Sequence, residues 1–387
     1  MSYFYSVGAQ SNEMDFFTAS ERFLFKRLKK GQDAATHEDR RMPMRRVLEG
    51  SSEGDGALYD VWPLDDLYYD APLFYAPVDY EDEEDFRTRA LDDRYDILCW
   101  IVRSALESPM AARMLEEAKD EGWSVALEDL SGDQGQGPDF HLDVPERLIV
   151  LNDSGLMLAA LGRSQYFCNS LLISFVRALR DVWQEKRHGG FNALYGPEAV
   201  LMLERVRSAD MDVMAVLCAW ELRSLGHGGI WRHLIGSDMG DLAMRFSTYL
   251  ERHPADASLH GALEAAFTQW FRSEERMDAC DHEILEDMDG LMKACESAEE
   301  AFGTERLQSQ GIEILSCLPD KTAYLQGRGR EILNAPLYSG MNDAVNQAHL
   351  MQIMNDLKTV RVQGVAFRSR ALADKIFPGG AMMAEED

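Results

Sequence analysis

The chain has no long apolar run, so nothing in it reads as a transmembrane helix. It has few cysteines, and Cys99, Cys168, Cys218, Cys280, Cys295 and Cys317 are scattered without a C-x-x-C pair. That excludes a zinc ribbon or a dense disulfide framework and suits reduced, buried thiols in a cytoplasmic protein. Positive charge is scarce too. With 39 Lys and Arg against 67 Asp and Glu, the formal net charge is −28, which argues against nucleic acid as a partner because phosphate backbones need a basic surface. The G-x-S-x-G elbow and the dinucleotide-binding glycine fingerprint are both missing. Gln326-Gly-Arg-Gly-Arg-Glu331 has the glycines of a phosphate loop but not its G-K-[ST] ending. The first residues, MSYFYSVGAQSNEMDFF, lack a basic stretch followed by an apolar core, so no secretory signal is expected.

What is there is mostly helical pattern. The 387 residues, 46% hydrophobic, suffice for two or three domains. Residues 1–50 hold a basic segment with a short amphipathic helix at 18–30, in which Phe23, Leu24, Phe25 and Leu28 alternate with Arg22, Lys26, Arg27, Lys29 and Lys30. Such a segment suits contact with a membrane surface or a partner, or packing on its own domain. Residues 51–90 are acidic and aromatic, with Pro63, Pro72 and Pro77 excluding a continuous helix. They form a linker or an extended segment that docks its aromatics in a groove. Residues 91–252 read as a small α+β domain: helices at 92–106 and 109–120, strands at 123–130, 141–144 and 147–152, then two long helices. A C-terminal helical region follows over 253–377, and 378–387 form an acidic tail.

The first long helix, Leu171–His188, is the stretch around which the rest is arranged. At about 100° per residue, Leu171, Leu172, Phe175, Val176, Leu179, Val182 and Trp183 share one arc. Ser174, Arg177, Arg180, Asp181, Gln184 and His188 fall opposite and are expected to face a cleft or water. The second helix opens at Gly196-Pro197 and stops at Gly226. Its acids Glu204 and Asp210 are placed to reach Arg177 or Arg180, unless each charge is simply solvated.

Phe175–Gln184, with Leu203–Asp210 and Ala219-Trp-Glu-Leu222, resembles the motif helices of a bacterial family described as putative metallopeptidases, zincin-like in fold. The resemblance covers roughly 95–250. It implies a predominantly α-helical α+β fold with a zincin-like core, a small sheet plus two long helices. In metal-competent relatives the first helix carries H-E-x-x-H before x-W-Q. Two imidazoles one turn apart hold zinc there, and the Glu activates its water. Here the corresponding positions are Arg177, Ala178 and Asp181, with Ser208 where a third ligand would stand. A guanidinium has no lone pair to donate and a methyl group is no base. No cofactor and no metal are therefore expected.

Two readings stay open. In the first the protein is catalytically degenerate and acts as a protein- or peptide-binding or regulatory module. Arg177, Arg180, Asp181, Gln184, Glu204 and Asp210 would line its cleft, with its own segment 58–85 (Asp65, Asp66 or Asp70 against Arg177 and Arg180) as one occupant. In the second it is an active metal-dependent hydrolase whose zinc site is built from other groups, with His141, His188, His227 and His233 as candidates. Cys280-Asp-His282 is a poor ligand pair because i and i+2 diverge on a helix.

Overall fold

A computed structural model describes residues 43–47, 58–71, 91, 93–131, 137–189, 191, 193–255, 258–295, 301–357, 360–362, 365–367 and 375–376. The amphipathic segment at 18–30, the 72–90 stretch and the tail at 378–387 lie outside the described residues. The chain divides into two compact units, Met1–Trp62 and Pro63–Asp387. In the first, strand β1 (Met44–Val47) pairs antiparallel with β2 (Leu58–Pro63), Met44 opposite Val61 and Val47 opposite Leu58.

The second unit begins with a short helix, α1 (Leu64–Asp70), where the sequence suggested an extended segment. Pro63 is its N-cap, and Leu64 and Leu67 are fully buried. Asp70 is buried as well, accepting from the Tyr95 hydroxyl at 2.5 Å. Helices α2 (Arg94–Glu107) and α3 (Pro109–Asp120) follow. Asp93 caps the first through the amide of Asp96, and Ser108 caps the second through that of Ala111, with Pro109 at its first position. A small mixed sheet comes next. β3 (Ser124–Glu128) pairs parallel with β5 (Leu148–Asn152), and β4 (Phe140–Asp143) pairs antiparallel with β5. Val125–Leu127 and Leu148–Leu151 are buried on both faces, as parallel strands require, while β4 is half-exposed.

The rest is helical: α4 (Leu158–Leu161), α5 (Gln165–His188), α6 (Pro197–Ser224), α7 (Gly228–Ile235), α8 (Gly240–Arg252), α9 (His260–Trp270), α10 (Glu274–Ala294), α11 (Ser309–Leu315), α12 (Gly329–Asn334), α13 (Pro336–Ser339) and α14 (Ala344–Asp356). A separate pair of short strands, β6 (Val360–Val362) and β7 (Val365–Phe367), follows. Helix α5 starts six residues before the expected Leu171 and ends where Gly189 takes a positive φ of 70°. Lys186 and Arg187 in its last turn complement the helix dipole. The hub of the unit is α6, which packs against α3, α5, α7, α8, α9, α10, α11 and α14. That explains why its 28 residues show little amphipathicity: a helix packed on several sides by other helices keeps no single outer face. Helices α8 and α9 pack on each other across the expected boundary at residue 253. Among the described residues, no helix is long and apolar enough to cross a membrane.

Candidate functional site

Helices α5 and α6 bring together most of the residues singled out in the sequence, but in two separate places. The first is the interior. Arg180 Nε donates to Asp210 Oδ2 at 2.5 Å, and Gln184 Nε2 donates to the same oxygen at 2.5 Å. The Tyr324 hydroxyl donates to Asp210 Oδ1 at 2.8 Å. Arg180 Nη2 completes the set on the carbonyls of Leu315 (3.1 Å) and Cys317 (2.9 Å). Arg180, Gln184 and Asp210 are all 0% exposed. They were expected on a cleft-facing side, and the structure corrects that. A charged side chain on the polar arc of a helix stays buried when an opposite charge and carbonyl acceptors meet it there. Burial, then Asp210, pushes the Tyr324 phenol well above its ordinary pKa, so the hydroxyl keeps its proton and remains a donor.

The second place is a cleft of ≈ 470 Å³ whose floor includes Arg177, Ser208, Asp212, Trp270 and Cys280, with Asp139, Asp238, Glu275 and Glu283 around it. Arg177 Nη1 donates to Asp139 Oδ2 at 2.6 Å, and its Nε lies 2.8 Å from Asp212 Oδ1. That second approach is an ion pair without hydrogen-bond alignment. The other Asp212 oxygen accepts from Trp270 Nε1 at 2.8 Å, which fixes the carboxylate. The Phe140 ring flanks the guanidinium at 5.7 Å. Burial alone would lower the Arg177 pKa, but Asp212, Asp139 and Asp238 outweigh it and hold the group above its ordinary value. Arg177 therefore meets Asp139 and Asp212, not Asp65, Asp66 or Asp70.

The four positions that the motif comparison selected separate accordingly. Arg177 and Ser208 line the cleft. Ala178 is fully buried. Asp181 turns to α6, accepting from Arg207 Nη2 at 2.7 Å. Glu204 lies elsewhere, beside a smaller cavity with His188. A metal does not fit this donor set: Arg177 offers no lone pair, Ala178 no donor, and Asp181 is held by a guanidinium. Among the described residues, no three His, Cys, Asp or Glu side chains are grouped so as to hold an ion. The four histidines go to different partners. His227 pairs with Glu107, His233 lies 3.3 Å from the Ser170 hydroxyl against the Tyr166 ring, His188 bonds the backbone at Ile314, and His141 is exposed on β4. Cys280 faces the Ser208 hydroxyl at 3.6 Å while Asp281 takes Arg205 and His282 is exposed. Burial pushes the Cys280 thiol up to about 12, which leaves it no nucleophilic thiolate near neutrality.

Asp139, Asp212 and Arg207 were missed as partners. Asp212 was visible only as one more charge on a helix, and Asp139 sits at the end of a glycine-rich loop with no periodicity to orient it.

The fold and site define a helical protein on a small mixed sheet, with an acid-bordered cleft that carries an ion-paired arginine. Residues 168–325 match the model of a family described as "Putative metallopeptidase family (DUF6782)". Comparisons with curated proteins and with solved structures give no match. The matched stretch holds Arg180, Gln184, Asp210 and Tyr324, and both walls of Arg177 on α5 and α6.

Proposed function

We propose that the chain is a catalytically degenerate relative of metallopeptidases that acts as a protein- or peptide-binding or regulatory module through the Arg177 cleft. The observation that carries this reading is the Arg177 guanidinium, ion-paired by Asp139 and Asp212 at 2.6 and 2.8 Å where the first zinc-binding imidazole would stand. A cation is already built into that position and would repel a second one. Ala178, in the place of the general base, is buried and without chemistry. What remains is a cleft large enough for one or two side chains of a peptide, with two arginines, Arg177 and Arg276, set among carboxylates. Charges so arranged select by electrostatic complementarity without cleaving anything.

The test has two parts. Protein purified with zinc in excess is analysed for metal by mass spectrometry and for peptidase activity on a mixed peptide substrate. The expected result is far less than one zinc per chain and no cleavage. One zinc per chain that disappears in a His188→Ala or His233→Ala variant, together with cleavage of the peptides, would instead favour the active hydrolase. In the second part a peptide library is screened against the intact chain. Arg177→Glu, which reverses the central charge, should abolish capture by the cleft.

A further inference from the structure

A second cavity, of ≈ 130 Å³, opens between the C-terminal end of α5, the first half of α6, and α11. Its walls are largely apolar, supplied by Leu203, Leu307, Ile314 and Leu315 with Tyr195. One carboxylate faces it, that of Glu204, whose side chain is only 19% exposed. Its nearest cation is Arg207 Nε at 3.7 Å, beyond hydrogen-bonding distance, and among the described residues no donor bonds the Glu204 carboxylate. Arg207 also lines the cavity, but its terminal nitrogens are engaged: Nη1 donates to the Gly189 carbonyl at 2.8 Å and Nη2 to Asp181 at 2.7 Å. The single guanidinium is thus shared among Asp181, Glu185 and Glu204, and Asp287 on α10 adds a further negative charge.

The Glu204 carboxylate thus meets the cavity with no hydrogen-bond donor among the described residues on it and with only a distant share of one guanidinium. Its complement would carry one positive charge and N–H donors on an apolar body. We propose that this cavity binds a primary ammonium on a short apolar stem, as a free alkylamine or as a lysyl side chain, with Glu204 as its counter-ion. His188 does not compete as a cation, because burial and the neighbouring Arg180, Arg207 and Arg187 hold its pKa down to about 4. The raised pKa of Glu204, about 7, arises from burial, opposed by Arg207 and reinforced by Asp181, Asp287 and Glu185. An ammonium against the carboxylate would draw it back down. This site is independent of the Arg177 cleft, so its failure would leave the reading of that cleft untouched.

The test uses n-butylamine as the probe, titrated against the full chain by saturation-transfer NMR, with 1-butanol and butyrate as neutral and anionic isosteres. Butylamine should bind saturably and about tenfold more tightly than 1-butanol, the factor for about 1.4 kcal/mol of charge pairing, and butyrate should not bind. Affinity should rise from about pH 6 to about pH 8 as Glu204 ionises among Arg207, Asp181, Glu185, Asp287 and neutral His188. Glu204→Gln should remove the preference for the amine, and Ile314→Trp, at the cavity wall, should block both isosteres without altering charge. Nα-acetyl-lysine methylamide separates the two sources. Binding as tight as that of butylamine assigns the site to a lysyl side chain, and weaker binding assigns it to a free amine. Equal affinity for butylamine and butanol, unchanged amine binding by the Glu204→Gln variant, or no saturation with either probe would overturn the proposal.

Discussion

Replacing Asp210 with alanine removes the carboxylate on which Arg180, Gln184 and Tyr324 converge at 2.5, 2.5 and 2.8 Å. The Arg180 guanidinium, 0% exposed, would then keep only the Leu315 and Cys317 carbonyls, with no counter-charge in the interior. Removing one member of a buried pair costs roughly 3–5 kcal/mol, a large share of a total stability of about 5–15 kcal/mol. At about 2 °C per kcal/mol for a unit of this length, Tm should fall by about 6–10 °C. Differential scanning calorimetry and urea unfolding by circular dichroism measure both quantities. Arg180→Met should be similarly destabilising, because it leaves the carboxylate unpaired. The combination Arg180→Met with Asp210→Leu should be less damaging than the sum of the two, with a coupling of about 2 kcal/mol or more, since no charge remains buried. An Asp210→Ala protein within about 1 kcal/mol of the wild type, or strictly additive losses in the pair, would refute the argument that this ion pair organises the interior.

Two further expectations follow from the same structure. The folded pKa of Glu204, about 7, lies above the ordinary value of 4.5, so between those two values the folded state holds more protons than the unfolded one. Its contribution is therefore most favourable below pH 4.5 and is lost as pH rises to 7, by about 3 kcal/mol in all. Comparing the pH dependence of urea midpoints for the wild type and Glu204→Gln should show that slope only in the wild type. Arg177→Ala should cost about 2 kcal/mol, because Asp212 is left buried without its cation while exposed Asp139 is solvated. Urea unfolding would show it, and a loss no greater than that of an exposed arginine would mean that the Asp212 pair contributes nothing.

The helix boundaries were legible because the punctuation is strong. Ser108-Pro109, Gly196-Pro197, Gly189 and Gly226 mark ends that depend on local backbone chemistry alone. The predominantly helical α+β class, the small sheet and the two long helices followed from those marks and from periodicity. The direction of Arg180 and Gln184 was not legible. A helical wheel assigns a polar residue to the outside by default, and the groups that hold these two inside come from Tyr324, Leu315 and Cys317, more than a hundred residues away. The segment at 58–70 misled in the opposite sense. Its acids and prolines hid Leu64 and Leu67, and Asp70 is buried because the Tyr95 hydroxyl meets it. Of the cleft, Arg177 and Ser208 could be picked out by their place in the motif, whereas Asp139 and Asp212 could not.

Helix α6 also carries Arg205, which is 1% exposed, grips Asp281 of α10 at 2.5 Å through two nitrogens and donates to the Tyr338 carbonyl at 3.1 Å. Both of its interior guanidinium contacts, this one and the Asp210–Arg180 pair, are therefore finished by chain that comes after residue 253. Were the chain severed there, Arg205 would lose its counter-charge Asp281, while Arg180 and Asp210 would keep each other but lose the Tyr324 hydroxyl and the Leu315 and Cys317 carbonyls. A partner that drew the 309–340 stretch away would therefore uncover both guanidinium groups at once, because Arg180 and Arg205 each finish their hydrogen bonds on it.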